Sequence, residues 1–82
     1  MFTYPNPVRD YLTVDLPEGT GSGQLYILDM DGRLIWEEQT RSIQTSLRLD
    51  MSDYEVGTYS VEYVPEDNVE RRVWTSSVVV VR

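Results

Sequence analysis

Carboxylates are the most abundant side chains able to do chemistry in this chain. Fourteen Asp and Glu residues occur among 82, whereas His and Cys are absent. Ser-His-Asp and Cys-His catalysis each need a residue type that the chain lacks. A pair of carboxylates could still act as acid and base on a glycosidic bond. In so acidic a chain, solvated surface charge explains the carboxylates better, and we expect no catalytic residue and no enzymatic activity.

One acidic stretch has the spacing of a metal-binding loop. The sequence Asp-Met-Asp-Gly at residues 29–32 resembles the start of a calcium-binding EF-hand loop, which ends in Glu at its twelfth position between two helices. The twelfth position from Asp29 is Thr40, and the flanking residues alternate like strands. Zinc sites built from His and Cys are excluded. We therefore predict no metal and no cofactor, and interpret Asp31-Gly32 as a type I′ hairpin turn, whose two central residues need positive φ.

The charge of the chain excludes two classes of partner. The net charge is −7, and every one of the seven cations is an arginine. Nucleic acids and anionic membrane surfaces both bind through clustered cations, so we expect the chain to bind neither. No apolar run approaches the roughly 20 residues that cross a bilayer, so we predict no transmembrane segment.

Six Tyr and two Trp residues allow two interpretations. They could form an exposed platform on which sugars stack, or they could pack in a core and across strands. Tyr59, Val61 and Tyr63 alternate along one face of a predicted strand, which we expect to be the buried face. An adhesive or carbohydrate-binding module stays open as an alternative function, because four aromatic residues fit either interpretation: Tyr11, Tyr26, Trp36 and Trp74.

The composition and the apolar alternation predict strands and no helix. Ala and Lys, two strong helix formers, are absent, whereas Val, Thr and Tyr are frequent. Residues 2–4 could add an edge strand. Arg71-Arg72 and Ser76-Ser77 break the alternation of the last strand, which predicts a bulge or a bend there. Ile43 is expected on the same buried face as Leu47. The predicted strands are residues 11–16, 24–30, 33–39, 43–49, 58–64 and 69–82.

The second predicted strand requires two layers. It carries Leu25, Ile27, Leu28 and Met30, whose side chains point to both faces, and a single sheet could bury only one face. We expect two facing sheets to bury both. We therefore predict an all-β fold, an antiparallel β-sandwich of six or seven strands that is immunoglobulin-like in outline. A chain of this length fits a single domain over residues 1–82.

The first strand is preceded by a proline elbow, residues 5–7. Pro5 and Pro7 fix their own φ angles and hold the residue before each of them in extended geometry. This segment cannot be helical and cannot pair fully within a sheet. We expect Asp10 to cap the elbow through hydrogen bonds to nearby backbone N–H groups.

A run of four valines near the end of the chain has two interpretations. Val78, Val79, Val80 and Val81 suit a core strand with apolar side chains on both faces. At the edge of a sheet, the same run would invite pairing with another chain, by strand addition or in a weak dimer. The residues favour the core interpretation and leave the second open.

Four segments follow one another in the order of a known family of secretion signals. They are Tyr4-Pro5-Asn6-Pro7 with Asp10-Tyr11-Leu12 and Val14; Leu25, Ile27, Leu28, Asp29, Gly32, Arg33, Leu34 and Ile35; Leu49, Met51, Tyr54, Gly57, Tyr59 and Val61; and Val78 to Arg82. Together they resemble the C-terminal sorting domain of cargo proteins of the type IX secretion (Por secretion) system of Bacteroidetes. Each segment alone is a weak signal, whereas all four in order are specific.

The resemblance implies a function and a set of partners. It implies an exported domain, excised here from a longer secreted protein, that passes through the periplasm to the cell surface or the extracellular space. Its partners would be the type IX translocon, a sortase-like peptidase that cleaves upstream of Tyr4, and the N-terminal cargo domain of the same chain. Gly57 and Tyr59 would shape the signal. Docking on the translocon would fall to the last residues: Val78, Val79, Val80, Val81 and Arg82.

Overall fold

The alternating segments form seven strands in the part of the chain that the structure describes. The structure is a computed structural model and describes residues 1–19, 21–67 and 72–82. It contains no helix in these residues, and hence none that is long and apolar enough to cross a membrane. The predicted edge strand at residues 2–4 is present. The strands are β1 Phe2–Tyr4, β2 Tyr11–Asp15, β3 Gly23–Leu28, β4 Leu34–Thr40, β5 Ser46–Asp50, β6 Gly57–Pro65 and β7 Trp74–Val80.

The strands form two facing antiparallel sheets. The order is β1-β2-β5 in the three-stranded sheet and β4-β3-β6-β7 in the four-stranded sheet. All neighbouring strands in both sheets are antiparallel. In immunoglobulin-like terms, strands A, B and E face strands C, F and G, and the fourth strand lies beside the third. The predicted immunoglobulin-like sandwich is confirmed.

Period-two alternation places the core between the sheets. Tyr59, Val61 and Tyr63 on β6 point inward, as predicted, and Leu12 and Val14 on β2 face them from the other sheet. Each buried side chain of this size stabilises the fold by about 1.5–3 kcal/mol before the cost of ordering. The core consists of Val8, Leu12, Val14, Leu25, Ile27, Leu47, Leu49, Met51, Tyr59, Val61, Tyr63, Val78 and Val80.

Two predicted strands extend too far. β3 ends at Leu28, and Met30 is 80% exposed in the hairpin loop. The expectation that both faces of this strand are buried is wrong, because each sheet of a sandwich buries only its inner face and Leu28 is half-buried. β5 begins only at Ser46, and Ile43 is also 80% exposed. Ile43 lies in a turn that is closed by hydrogen bonds between Arg41 and Gln44 in both directions, at 3.0 and 2.7 Å. Local hydrogen bonds outweigh the apolar alternation at both places.

The predicted hairpin is present, but the predicted type I′ turn is wrong. The Gly32 N–H donates to the Asp29 carbonyl at 3.1 Å, and the Asp29 N–H donates to the Arg33 carbonyl at 3.0 Å. The loop therefore has three residues, 30–32, and Gly32 is the last residue of a four-residue turn that starts at Asp29, with φ of +80°. The Asp29 carboxylate selects this form, because it accepts the N–H groups of Asp31 and Arg33 at 2.9 Å each.

The predicted bulge at Ser76-Ser77 is absent. Pairing between β6 and β7 runs without a shift from Gly57 opposite Val80 to Tyr63 opposite Trp74. Ser76 faces inward opposite Val61, and its hydroxyl is satisfied by a 2.6 Å hydrogen bond to the Thr3 hydroxyl. The strand therefore tolerates a polar residue without a shift in its pairing with β6. The predicted bulge at Arg71-Arg72 and the start of the predicted strand involve residues 69–71, which lie outside the described residues.

Candidate functional site

The family-like segments come together at one end of the sandwich. β6 begins at Gly57 opposite Val80, and β2 begins at Tyr11 opposite Asp50. The elbow, the loop before β6 and the last residues of the chain are therefore neighbours. We call this region, residues 5–10, 51–57 and 79–82, the motif end. The Asp29 hairpin follows Leu28, which lies opposite Ser60, so it projects in the same direction.

The elbow covers the outer edge of β7. The Val8 N–H donates to the Val79 carbonyl at 2.8 Å, and the Val81 N–H donates to the Val8 carbonyl at 2.9 Å. The Asn6 side chain accepts the Val79 N–H at 3.0 Å and donates its Nδ2 to the Ser77 carbonyl at 3.1 Å. Backbone groups from Ser77 to Val81 that would otherwise face solvent are thus paired within the chain.

The two prolines confine these contacts to Asn6 and Val8, since proline has no N–H to donate. The Tyr4-Pro5 and Asn6-Pro7 peptide bonds are both cis. The side chain that caps the elbow is that of Asn6, whereas we predicted this role for Asp10. In the described residues, the hydrogen bond of Asp10 runs through its carbonyl oxygen, which accepts the Met51 N–H at 2.7 Å.

The Arg82 side chain joins the last residue to two loops. Nη1 donates to the Arg9 carbonyl at 2.7 Å and to the Val81 carbonyl at 2.8 Å. Nη2 lies among three carbonyl oxygens of the loop before β6. A guanidinium is planar, permanently charged and rich in donors, so it suits such a group of acceptors. The acceptors of Nη2 are the carbonyls of Met51 at 3.1 Å, Ser52 at 2.8 Å and Tyr54 at 2.6 Å.

Tyr59 shapes the loop that receives Arg82. Its hydroxyl donates to the Glu55 carbonyl at 2.7 Å, and its ring meets the ring of Tyr54 edge-on, with centroids 5.3 Å apart. A tyrosine near the start of this strand that bonds back to the preceding loop is the tyrosine corner of immunoglobulin-like domains. Burial, and to a smaller extent Tyr59, raises the pKa of Tyr54. Tyr59 thus holds the loop before β6 from a buried position in the core.

Gly57 serves the same loop through its backbone. Its φ is +156°, a conformation that L side chains rarely adopt, although an added Cβ would meet no atom within 4 Å. The requirement for glycine is therefore conformational. Gly57 lets the chain leave the loop and enter β6 directly opposite Val80.

The four valines near the end of the chain were predicted to form either a core strand or an edge strand, and they show features of both. Val78 and Val80 are fully buried, whereas Val79 is 37% exposed and Val81 is half-buried. The inward pair belongs to the core, and the backbone of the outward pair carries the contacts to the elbow. The structure therefore places these residues on an edge strand whose free side is covered.

Sequence reasoning missed two residues that hold this arrangement. Val8 is fully buried and forms a parallel bridge with Val80; an apolar residue directly after the elbow was its signal. Gly23 leaves no room for a side chain, because an added Cβ would lie 2.6 Å from the Val64 carbonyl and 2.7 Å from the Tyr63 hydroxyl. It lies in a stretch with three glycines that reads as a flexible connection.

The aromatic residues divide between buried and exposed positions. Tyr59 and Tyr63 are buried, and Trp36 and Trp74 pack partly against the core. Tyr26 is half-buried on β3. Alternation and register place three exposed rings on the outer face of the three-stranded sheet. These are Phe2, Tyr4 and Tyr11, and the Arg48 guanidinium lies 4.1 Å from the centroid of Tyr11.

A solved structure with the same architecture comes from the type IX secretion system. It is that of PorZ, described as an essential bacterial surface component of this system in the human oral bacterium Porphyromonas gingivalis. The two structures superpose with a TM-score of 0.73 at 27% sequence identity. The match covers 99% of this chain and 11% of PorZ, so the chain spans a small part of that protein. No curated protein matches the chain significantly.

A comparison with protein families gives a match over nearly the whole chain. Residues 3–78 match the family described as the secretion system C-terminal sorting domain. The match contains the elbow, the hairpin and the tyrosine corner, and it ends just before Val79. The chain belongs to the family of secretion system C-terminal sorting domains.

Proposed function

We propose that this domain is the sorting signal by which a type IX translocon carries an attached cargo across the outer membrane. The observation that carries this conclusion is the family match over residues 3–78, on a sandwich that places the matched motifs at one end. The likeness to a module of PorZ supports the same secretion system. The cargo would reach the cell surface or the extracellular space after passing through the periplasm.

The translocon would recognise the motif end as a folded shape. Gly57 and Tyr59 determine the path of the loop before β6, and the surface there includes Val79, Val81 and Arg82. Val78 and Val80 would act by holding this strand in the core. Direct strand addition on β7 would first have to displace the elbow, so contact with the assembled surface is the simpler mode.

The cargo would join at the opposite end. Phe2 pairs with Asp15, and Met1 lines a depression with residues 16–19, far along the strands from Arg82. A domain attached ahead of Met1 would thus leave the motif end accessible. Cleavage by the sortase-like peptidase would fall upstream of Phe2, since β1 is part of the sandwich. In this proposal residues 1–82 form one domain that acts as a sorting signal and a peptidase substrate, not as an enzyme.

An export assay tests the proposal. A periplasmic reporter is fused ahead of residue 1 and expressed in a Bacteroidetes host, with and without a working type IX translocon. We expect reporter activity at the surface or in the medium only when the translocon works. A reporter fused to an unrelated β-sandwich of similar size is the control. Retention of the fusion in the periplasm, or export without the translocon, would contradict the assignment.

A second candidate is carbohydrate binding by the exposed aromatic face. Phe2, Tyr4 and Tyr11 are exposed on the same face of the three-stranded sheet, and exposed aromatic rings are the side chains on which sugars would stack. One face of Tyr11 is already occupied by Arg48, and Tyr4 donates to Asp15 at 3.3 Å, which limits the free platform. Binding on a glycan array that is lost in Tyr4→Ala would support this candidate, and an array without binding would remove it.

A further inference from the structure

The last residue of the chain is held from three directions. β7 pairs with β6 on one side, the elbow pairs with Val79 and Val81 on the other, and the Arg82 side chain reaches across to the loop before β6. We propose that Arg82 is the positioning residue of the signal. Its guanidinium fastens the end of the chain to the loop and the elbow, and the secretion machinery reads this fastened geometry, not a free positive charge. This inference rests on the proposed function, and we call the contact the Arg82 latch.

Hydrogen bonds that do not involve Arg82 hold the loop before β6 in a shape that suits a cation. The Asp50 carboxylate accepts the Ser52 N–H at 3.0 Å and the Ser52 hydroxyl at 2.6 Å, and the Tyr54 N–H donates to the Met51 carbonyl at 3.1 Å. Tyr59 fixes the next carbonyl, that of Glu55. In the loop that these bonds hold, the carbonyl oxygens of Met51, Ser52 and Tyr54 all lie within 3.1 Å of one atom, Arg82 Nη2. Oxygen atoms with partial negative charge repel each other there unless a donor or a cation lies between them.

The charged guanidinium of Arg82 makes its hydrogen bonds within the domain. Its acceptors are neutral carbonyls, and the ion pairs within residues 1–19, 21–67 and 72–82 involve Arg33 with Asp29 and Asp31. A charged donor makes stronger hydrogen bonds than a neutral one. A translocon that needed a free cation would find this guanidinium already engaged. A translocon that needs the shape of the motif end would find it stabilised.

The geometry requires arginine in particular. Nη1 bonds the elbow side at Arg9, whereas Nη2 bonds the loop side at Met51, Ser52 and Tyr54, so the planar group bridges two segments at once. A lysine ammonium is a single compact centre and cannot place donors on both sides in the same way. Arg82→Lys therefore keeps the charge and removes the bridge. It distinguishes recognition of a positive charge from recognition of the shape of the motif end.

The latch is measured first in the isolated 82-residue chain. In Arg82→Lys and Arg82→Ala, we expect the amide exchange of Val81, whose N–H donates to Val8, to become faster by about tenfold or more. Exchange of the central β3 amides is the internal control and should change little. Unchanged exchange at Val81 in both variants would overturn the latch.

Export is measured with the same variants in the reporter fusion. We expect Arg82→Lys to lower export about as much as Arg82→Ala, by roughly tenfold, because both lose the bridge. Export of Arg82→Lys at the level of the unaltered signal, with the latch lost by amide exchange, would show that the machinery reads the charge and would overturn the proposal.

A stabilising second variant distinguishes positioning from stability. The Thr40 hydroxyl is buried and lacks a hydrogen-bond partner in the described residues, so Thr40→Val should stabilise the fold. If Arg82 acts only through stability, Thr40→Val should restore export in the Arg82→Lys background; we expect no restoration. Failure of the unaltered fusion to be exported would overturn the proposed function and the recognition part of this inference, whereas the latch itself is decided by amide exchange.

Discussion

The two edges of the four-stranded sheet are protected in different ways. β7, at one edge, is covered by the elbow and the Arg82 latch. β4, at the other edge, pairs only with β3 within the described residues, and its exposed side chains include Leu34, Ile35, Glu37 and Glu38. Strand edges attract other strands, and proteins prevent this by covering an edge or by placing charges on it. This sandwich uses covering for β7 and charge for β4.

The difference follows from what each strand must do. Val78 and Val80 carry part of the core, so the inward face of the last residues of β7 is apolar and a charge at either position would lower stability. β4 contributes fewer buried residues and can carry adjacent glutamates. If two copies paired through β4, Glu37 or Glu38 would lie opposite like charges, which destabilises the pair. A weak dimer, if one forms, should therefore depend on which protection is removed.

The largest loss of stability is expected from Gly23→Ala, which disturbs β3, a strand that lies between the two edges of the four-stranded sheet. The added Cβ would lie 2.6 Å from the Val64 carbonyl, and Gly23 pairs with β4 on one side and β6 on the other. We expect a loss of about 2–3 kcal/mol in the free energy of unfolding, measured by urea denaturation. Ser22→Ala is the neighbouring control. A loss similar to that of the control would show that the strand shifts to make room.

Asn6→Ala should uncover the β7 edge. The variant loses the bonds to the Val79 N–H and the Ser77 carbonyl, and we expect a loss of about 1–2 kcal/mol together with self-association in sedimentation velocity. Asn6→Asp keeps the acceptor for Val79 and should show roughly half of the loss. A monomeric Asn6→Ala variant of unchanged stability would mean that the elbow does not protect β7.

Removing the charges of β4 should produce a dimer that pairs through β4 and not through β7. We expect Glu37→Thr combined with Glu38→Thr to self-associate while the stability of the monomer changes by less than about 0.5 kcal/mol. The matched control is Glu66→Thr with Asp67→Thr, which removes the same charge outside the sheet edges. Equal association of both double variants would indicate an effect of net charge and not of the edge.

The smallest effect is a dependence of stability on acid pH. The Arg33 backbone N–H, followed by the Arg33 side chain and the Asp31 N–H, lowers the pKa of Asp29 below its ordinary value of 3.8; the Ser52 hydroxyl and N–H lower that of Asp50. A depressed folded-state pKa means that the stabilisation is present above the unfolded pKa and is lost as the pH falls through the folded pKa.

The melting temperature between about pH 5 and about pH 2 measures this dependence. Asp29→Asn tests the hairpin that leads into β4, and Asp50→Asn tests the loop that receives Arg82. Each variant should melt at a lower temperature than the unaltered chain at the higher pH and should show a smaller decrease towards the lower pH. Parallel curves for a variant and the unaltered chain would contradict the role of that carboxylate.

Local signals predicted most of the fold. Alternation located the strands and identified the inward faces of β2 and β6, and Asp31-Gly32 located the hairpin. The errors occurred where a nearby hydrogen bond competed with the pattern. The Asp29 carboxylate changed the type of turn, the Arg41–Gln44 turn removed Ile43 from β5, and the Thr3 hydroxyl allowed Ser76 to remain in a regular strand.

By itself, the sequence determined the fold class, the order of the strands along the chain and the family, because period-two alternation, turn residues and proline act within a few residues of each other. Only the tertiary structure decided which groups close the motif end. Asn6 meets Val79 across 73 positions, and Arg82 meets Arg9 across 73 and Ser52 across 30. Such contacts depend on how the two sheets face each other, and a single guanidinium or amide that bonds backbone carbonyls leaves no periodic trace in the sequence.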